Sequence, residues 1–225
     1  MNKIAVMLSG CGVYDGSEIY ETVLTLLHLS KAGVEYQCLA PNIDQLHVIN
    51  HATGEVTDNS VRNVFEEAAR LARGDIIDLA DAKPEEYAAL IISGGFGAAK
   101  NLSNFALKGA EADVDPLVAS FTKAIHAADK PVGLICIAPA LTPLLVGKGI
   151  TCTVGNDADV ASAIEQMGGK HKQCAVDDIV IDEVHNVVTT PAYMLAGSIA
   201  EADAGISKLV QAILEMLSQP KPSEA

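Results

Sequence analysis

The chain contains no tryptophan, and aromatic residues make up only 4% of its 225 residues. Its core must therefore be built from Val, Ile, Leu and Ala, which suits a parallel sheet covered by helices. Basic residues are scarce as well: 15 Lys and Arg stand against 29 Asp and Glu, a formal net charge of −14. That balance argues against nucleic acid or an anionic membrane surface as a partner, since both reward basic patches. No apolar run is long enough to span a bilayer. Met1-Asn2-Lys3 leads straight into Ile4-Ala5-Val6-Met7-Leu8, without a longer apolar core or a small-residue cleavage site, so no signal peptide is expected. The five cysteines form no CxxC and are irregularly spaced, which does not read as a disulfide framework. A reducing, cytoplasmic setting is expected.

What is present is a sequence of buried strands alternating with helices. The length suits one α/β domain, residues 1–218, with a disordered tail at 219–225 that carries two prolines. Lys3 to Ser9 reads as a central strand, Val34 to Ala40 as a second, and Ala88 to Ile92 as another. Asp115 and Pro116 are an N-cap and first-turn pair for a helix to about Asp129, with Leu117, Val118, Phe121 and Ile125 inward. Ile179 to Ile181 and Val187 to Thr190 read as an antiparallel hairpin, followed by a last helix over roughly Ala196 to Leu217.

The stretch Val132-Gly133-Leu134-Ile135-Cys136-Ile137-Ala138-Pro139 carries the chemistry. A short apolar strand ends at Cys136 and helix-starting residues follow at once. A thiol at such a bend stands clear of the sheet, with the N–H groups and dipole of the next helix aimed at it. The alternative is a small core hydrophobe. Ser93-Gly94-Gly95 at the end of another strand has the form of half an oxyanion hole, or of a plain tight turn.

Other features read more simply. Ser17 and Glu18 open a helix to about Lys31 with Ile19, Val23, Leu26, Leu27 and Ser30 on one stripe. On that wheel Glu21 lies opposite and Glu18 between, which makes both solvated first-turn carboxylates. Gly10, Gly12 and Gly16 do not have dinucleotide-loop spacing. His47 and His51 stand four apart but lack a third ligand, so no metal is expected.

Three stretches in this order, Gly16-Ser17-Glu18-Ile19-Tyr20-Glu21, Ser93 to Ser103 and Leu134-Ile135-Cys136-Ile137-Ala138-Pro139, resemble the ThiJ/PfpI superfamily, related to class I glutamine amidotransferases. Leu8 to Glu18 together with Thr189 to Leu195 resembles its ElbB branch, named for an effect on isoprenoid yield and described as glyoxalases. The resemblance implies a single-domain three-layer sandwich, flavodoxin-like, with a mostly parallel sheet, helices on both faces and a C-terminal β-hairpin. It implies Cys136 as nucleophile, Glu21 as the carboxylate against it, and Gly95 and Ile137 as oxyanion donors. Glu18, Cys11, Gly94 and Asn101 are then site-lining residues.

It further implies a homodimer and a cofactor-independent conversion of glyoxal, or methylglyoxal, to the hydroxy acid. The rival readings are a thiol-based redox sensor and an amidase or glutaminase-like subunit. One departure matters: relatives place a histidine in the stretch written here Ile150 to Asn156, which has none, and His171 and His185 lie too far along. That counts against proteolysis and glutamine hydrolysis. The polar segment 42–60, longer than in deglycase-like relatives, is expected to form a lid or a partner surface.

Overall fold

The computed structural model describes residues 3–219, so most of the expected disordered tail lies outside the described residues. In chain order the first third consists of β1 (Lys3–Met7), α1 (Ile19–Lys31), β2 (Tyr36–Ala40), β3 (Ile49–Asn50), β4 (Glu55–Val56), α2 (Val64–Leu71) and β5 (Ile76–Asp78). The middle holds β6 (Tyr87–Ile92), α3 (Phe96–Lys100), α4 (Phe105–Lys108), α5 (Pro116–Ala127) and β7 (Val132–Ile135). Then follow α6 (Thr142–Leu145), β8 (Thr151–Cys152), α7 (Ala158–Gln166), β9 (Lys170–His171), β10 (Val180–Asp182), β11 (Val187–Thr190) and α8 (Ile199–Ser218).

Seven strands form one sheet in the order β10-β11-β7-β6-β1-β2-β5. All neighbours are parallel except β10 and β11, the expected hairpin. β1, β6 and β7 occupy the middle, and Ile4, Ala5, Val6, Leu90, Ile91, Val132 and Leu134 are fully buried, which explains why these strands read as unbroken apolar runs. At Gly133 the absent side chain leaves room for Leu209 and Ile213 of α8, so this helix lies close on β7. The helix α5 covers β6 and β7 from the other side, led in by Asp115, whose Oδ1 accepts the N–H groups of Leu117 and Val118.

Several helical faces differ from the wheel reading. Along α1 the buried side chains are Glu21, Thr22, Leu24, Thr25 and Leu29, while Ile19, Tyr20, Val23 and Leu27 are 41–48% exposed. Leu117 of α5, expected inward, is likewise exposed. The short strand β8 pairs with β9 in a separate two-stranded sheet outside the main one. Segment 42–60 contains the small hairpin β3–β4, which docks on the loop after β1: Asp15 Oδ2 accepts the Ile49 N–H at 2.7 Å, and His51 Nε2 accepts the Tyr14 N–H at 3.2 Å.

Candidate active site

The site lies at the carboxyl ends of the central parallel strands, where open α/β sheets present their ligand crevices. Cys136 follows β7 directly, with φ of 64°, a left-handed conformation that a side-chain-bearing residue adopts only when its surroundings hold it. Here the neighbouring strand does so: the Cys136 N–H donates to the Thr190 carbonyl at the end of β11, at 3.0 Å. The bend turns the thiol out of the sheet plane and leaves it 7% exposed. A 3₁₀ turn, Ala138–Leu141, follows, and α6 is only four residues long. The expected helix dipole is therefore weak; individual N–H groups take its place, those of Gly95 and Ile137 directed at the sulfur.

Gly94 and Gly95 are glycines for steric reasons. A Cβ on Gly94 would overlap both Cys136 Cβ and Glu21 Oε2, and one on Gly95, at φ of 91°, would strike the Gly16 carbonyl and the Glu18 nitrogen. The loop after β6 is thus pressed between thiol and carboxylate on one side and the start of α1 on the other.

Glu21 is completely buried, contrary to the solvated first-turn carboxylate of the wheel reading. Two features account for it. The inward face of α1 is mixed, with Thr22 and Thr25 returning their hydroxyls to the Glu18 and Glu21 carbonyls, so apolar periodicity points to the wrong face. A polar seat also awaits the carboxyl group: Oε1 accepts the Tyr193 N–H at 3.1 Å. Among the described residues Oε2 has no well-formed hydrogen bond, and it faces the Cys136 thiol and the Gly94 amide.

Burial, then the nearby Glu18 charge, push the Glu21 carboxyl up to about 8. Burial, then Glu21, push the Cys136 thiol well above its ordinary value, against the opposing pull of the Gly95 and Ile137 N–H groups. Each acid disfavours ionisation of the other, so at neutral pH the pair carries at most one negative charge and behaves as one proton-sharing unit. Glu18 caps α1: its Oε2 accepts the Glu21 N–H at 2.7 Å and its own N–H donates to the Gly94 carbonyl at 2.9 Å. Its carboxyl is also raised, by burial.

The structure brings Cys136, Glu21, Glu18, Gly94, Gly95 and Ile137 together. Asn101 serves as a brace behind them, donating to the Ser9 and Asp15 carbonyls and accepting the Leu46 N–H. Cys11 lines a cavity of about 390 Å³ with Asp15, His51 and Arg62, whose walls include none of these reactive groups. None of the six histidines is among the groups bearing on Cys136 or Glu21. His171 instead accepts the Val154 N–H, His185 pairs with Asp182, and His28 bridges to Asp203. Sequence reasoning missed the role of Tyr193. The signal available was Pro191, which ends β11 and begins the turn in which buried Ala192, at φ of 40°, directs the next N–H toward Glu21.

A parallel sheet with a cysteine at a strained strand end, facing two backbone N–H groups and a buried glutamate, defines a protein of the amidotransferase-like, DJ-1 and ThiJ/PfpI fold class. More particularly, the chain belongs to the family of the ES1 and glutamine amidotransferase-like class 1 domain-containing proteins. It is 43% identical over 223 residues to the human glutamine amidotransferase-like class 1 domain-containing protein 3, mitochondrial, covering 95% of this chain and 83% of that protein. It is 42% identical over 223 residues to the rat ES1 protein homolog, mitochondrial, covering 95% of this chain and 84% of that one.

Among solved structures, an isoprenoid biosynthesis protein with amidotransferase-like domain from Ehrlichia chaffeensis superposes with a TM-score of 0.87 at 35% identity, covering 95% of this chain and 99% of that one. A DJ-1 superfamily protein from Salmonella typhimurium shares the fold at a TM-score of 0.53 and 21% identity, covering 90% of this chain and 84% of that one. No family model matches the chain. The expected cytoplasmic setting is overturned by these relatives, since the human and rat proteins are both named as mitochondrial.

Proposed function

We propose that the protein is a cofactor-independent glyoxalase-type enzyme that converts glyoxal, and by extension methylglyoxal, to the 2-hydroxy acid. The observation that carries this reading is the pairing of Cys136 with a fully buried Glu21 raised to about 8, under two N–H groups and without a histidine. A carboxyl group raised in this way can give and take a proton near neutral pH. An α-oxoaldehyde needs little else, because its carbonyl is electrophilic enough for a thiolate to attack directly.

In this reading the Cys136 sulfur adds to one aldehyde carbon, forming a C–S bond, and the new oxyanion is held by the Gly95 and Ile137 N–H groups. Glu21 moves the proton from that carbon toward the neighbouring oxygen and carbon by way of an enediol. One carbon is thereby oxidised to a thioester and the other reduced to a carbinol, with no outside electron acceptor. Water then cleaves the C–S bond, releasing glycolate and restoring the thiol. A homodimer is part of the same proposal. The exposed stripe Ile19, Tyr20, Val23 and Leu27 on α1 supports it, being apolar surface next to the site.

The test follows product formation from glyoxal and methylglyoxal by NMR for wild type, Cys136→Ala and Glu21→Gln. Turnover of at least about one per second, the usual enzyme range, that disappears in both variants is the expected result. A Cys136→Ala protein with normal turnover would overturn the mechanism.

A further inference from the structure

The cavity of about 390 Å³ between the loop after β1 and the segment carrying β3–β4 is walled apart from Cys136 and Glu21. Its volume lies in the usual range of small-molecule sites, about 300–1,000 Å³, but only Val48 and Ile49 in its lining are aliphatic. A polar occupant suits it. Asp15, on the same lining, is only 4% exposed and has one oxygen without a partner. Its Oδ2 accepts the Ile49 N–H, whereas Oδ1 makes no hydrogen bond among the described residues. The nearest ring does not serve it: His51 Nε2, 3.7 Å away, already accepts the Tyr14 N–H, and Nδ1 donates to the Ile49 carbonyl at 3.1 Å. Lys100 directs its ammonium to the Tyr14 carbonyl instead. Gly12 leaves the space beside Oδ1 open, since a Cβ there would come within 2.9 Å of that oxygen. A buried carboxylate oxygen in this position gains from any donor that reaches it.

Arg62 lines the same cavity. Its Nη1 pairs with Glu67 at 3.2 Å, a carboxylate that Arg70 also holds at 2.9 Å, so the remaining guanidinium N–H groups of Arg62 are uncommitted. The Thr57 and Ser60 hydroxyls, on the same walls, have no hydrogen-bond partner among the described residues. An anion alone would suit Arg62 and be repelled by Asp15; a cation alone meets the reverse. A ligand with both a carboxylate and an ammonium satisfies the two, and a short polar side chain on it would meet the hydroxyls. We propose that this cavity binds a free α-amino acid with a small polar side chain, its carboxylate on Arg62 and its ammonium on Asp15 Oδ1. The loop that carries Asp15 is tied to the oxyanion loop by the Phe96 N–H on the Val13 carbonyl at 2.8 Å and the Gly97 N–H on the Gly16 carbonyl at 2.9 Å. The occupant therefore sits one loop away from the reactive thiol, and its binding does not depend on the glyoxalase reading.

The test is calorimetric titration of the full chain at neutral pH with L-serine and L-asparagine, beside ethanolamine, which lacks the carboxylate of serine, and 3-hydroxypropanoate, which lacks its ammonium. At least one of the amino acids is expected to bind with a Kd of about 1 mM or tighter, and each single-charge analogue roughly tenfold or more weakly. Asp15→Asn keeps an oxygen for the Ile49 N–H and presents an NH₂ group where the ammonium would lie, so it should weaken binding about tenfold or more. Arg62→Gln should do the same, and it serves if the first variant fails to fold, because Glu67 keeps its pairing with Arg70. Amide shifts of ¹⁵N-labelled protein locate the ligand: the largest changes are expected at Gly12, Asp15 and Ile49. No binding of either amino acid, equal binding of an analogue, unchanged affinity in a folded variant, or largest shifts at Gly95 and Ile137 would each overturn the proposal. Binding of 3-hydroxypropanoate as tight as that of serine would make the cavity a plain anion site and reject the role given to Asp15.

Discussion

The backbone N–H of Tyr193 donates to Oε1 of Glu21 at 3.1 Å, across 172 positions of chain. This contact ties one carboxylate oxygen and leaves the other toward Cys136. It also places the last turn before α8 over the first turn of α1, so both ends of the domain contribute to one proton-sharing site. The tie uses main chain, which is why no particular side-chain type at 193 announces it.

The burial of Glu21 makes stability depend on pH in a stated direction. Its carboxyl group titrates at 4.5 when exposed and at about 8 in the fold, so between those values the folded protein binds more protons than the unfolded one. Unfolding free energy therefore falls as pH rises through that window, by at most about 1.4 kcal/mol per pH unit. Glu18, raised in the same direction, adds to the effect. Glu21→Gln is expected to flatten the dependence and to be more stable than wild type at the alkaline end. Denaturant titrations at several pH values check this, and a wild-type stability that rises across the window would contradict it.

Gly94→Ala is expected to abolish turnover and lower stability by about 1–3 kcal/mol, the usual range for overpacking. The new Cβ would overlap Cys136 and Glu21 and come within 2.9 Å of the Ile135 carbonyl. Thermal unfolding and the NMR assay together read both effects, and a fully active Gly94→Ala protein would show that the loop is free to move.

Asn101→Ala tests the brace separately from the chemistry. Its side chain satisfies three main-chain groups, the carbonyls of Ser9 and Asp15 and the N–H of Leu46, joining the loop after β1 to segment 42–60. Leaving these groups unpaired should cost about 1–3 kcal/mol. The reactivity of Cys136 toward iodoacetamide should stay within a factor of two. A large loss of thiol reactivity would mean that Asn101 acts on the site itself.

The exposed stripe on α1 yields a prediction about assembly. Val23 is 48% exposed between Ile19 and Leu27. Val23→Glu is expected to convert a dimer into a monomer in light scattering, because it would bury an unpaired carboxylate in the interface. A monomeric wild type would reject the dimer.

Much of the fold was legible because burial on two faces leaves a plain mark. β1, β6 and β7 are continuous apolar runs with little alternative to a central parallel strand, and Asp115-Pro116 states where α5 begins. The hairpin of β10 and β11 was legible from its two short runs and the polar turn between them. Cys136 stood out for a local reason, a thiol where a buried strand meets small, helix-starting residues. Through the family resemblance the sequence also placed Gly95 and Ile137 beside it. Periodicity groups residues onto a face; it does not say which face docks. On α1 the docked face carries Glu21, Thr22 and Thr25, and the more apolar stripe stays outside. Only the tertiary structure decided this, because a buried carboxyl group depends on partners contributed by distant segments, the Tyr193 N–H, the Gly94 loop and the Cys136 thiol, and no local pattern records them.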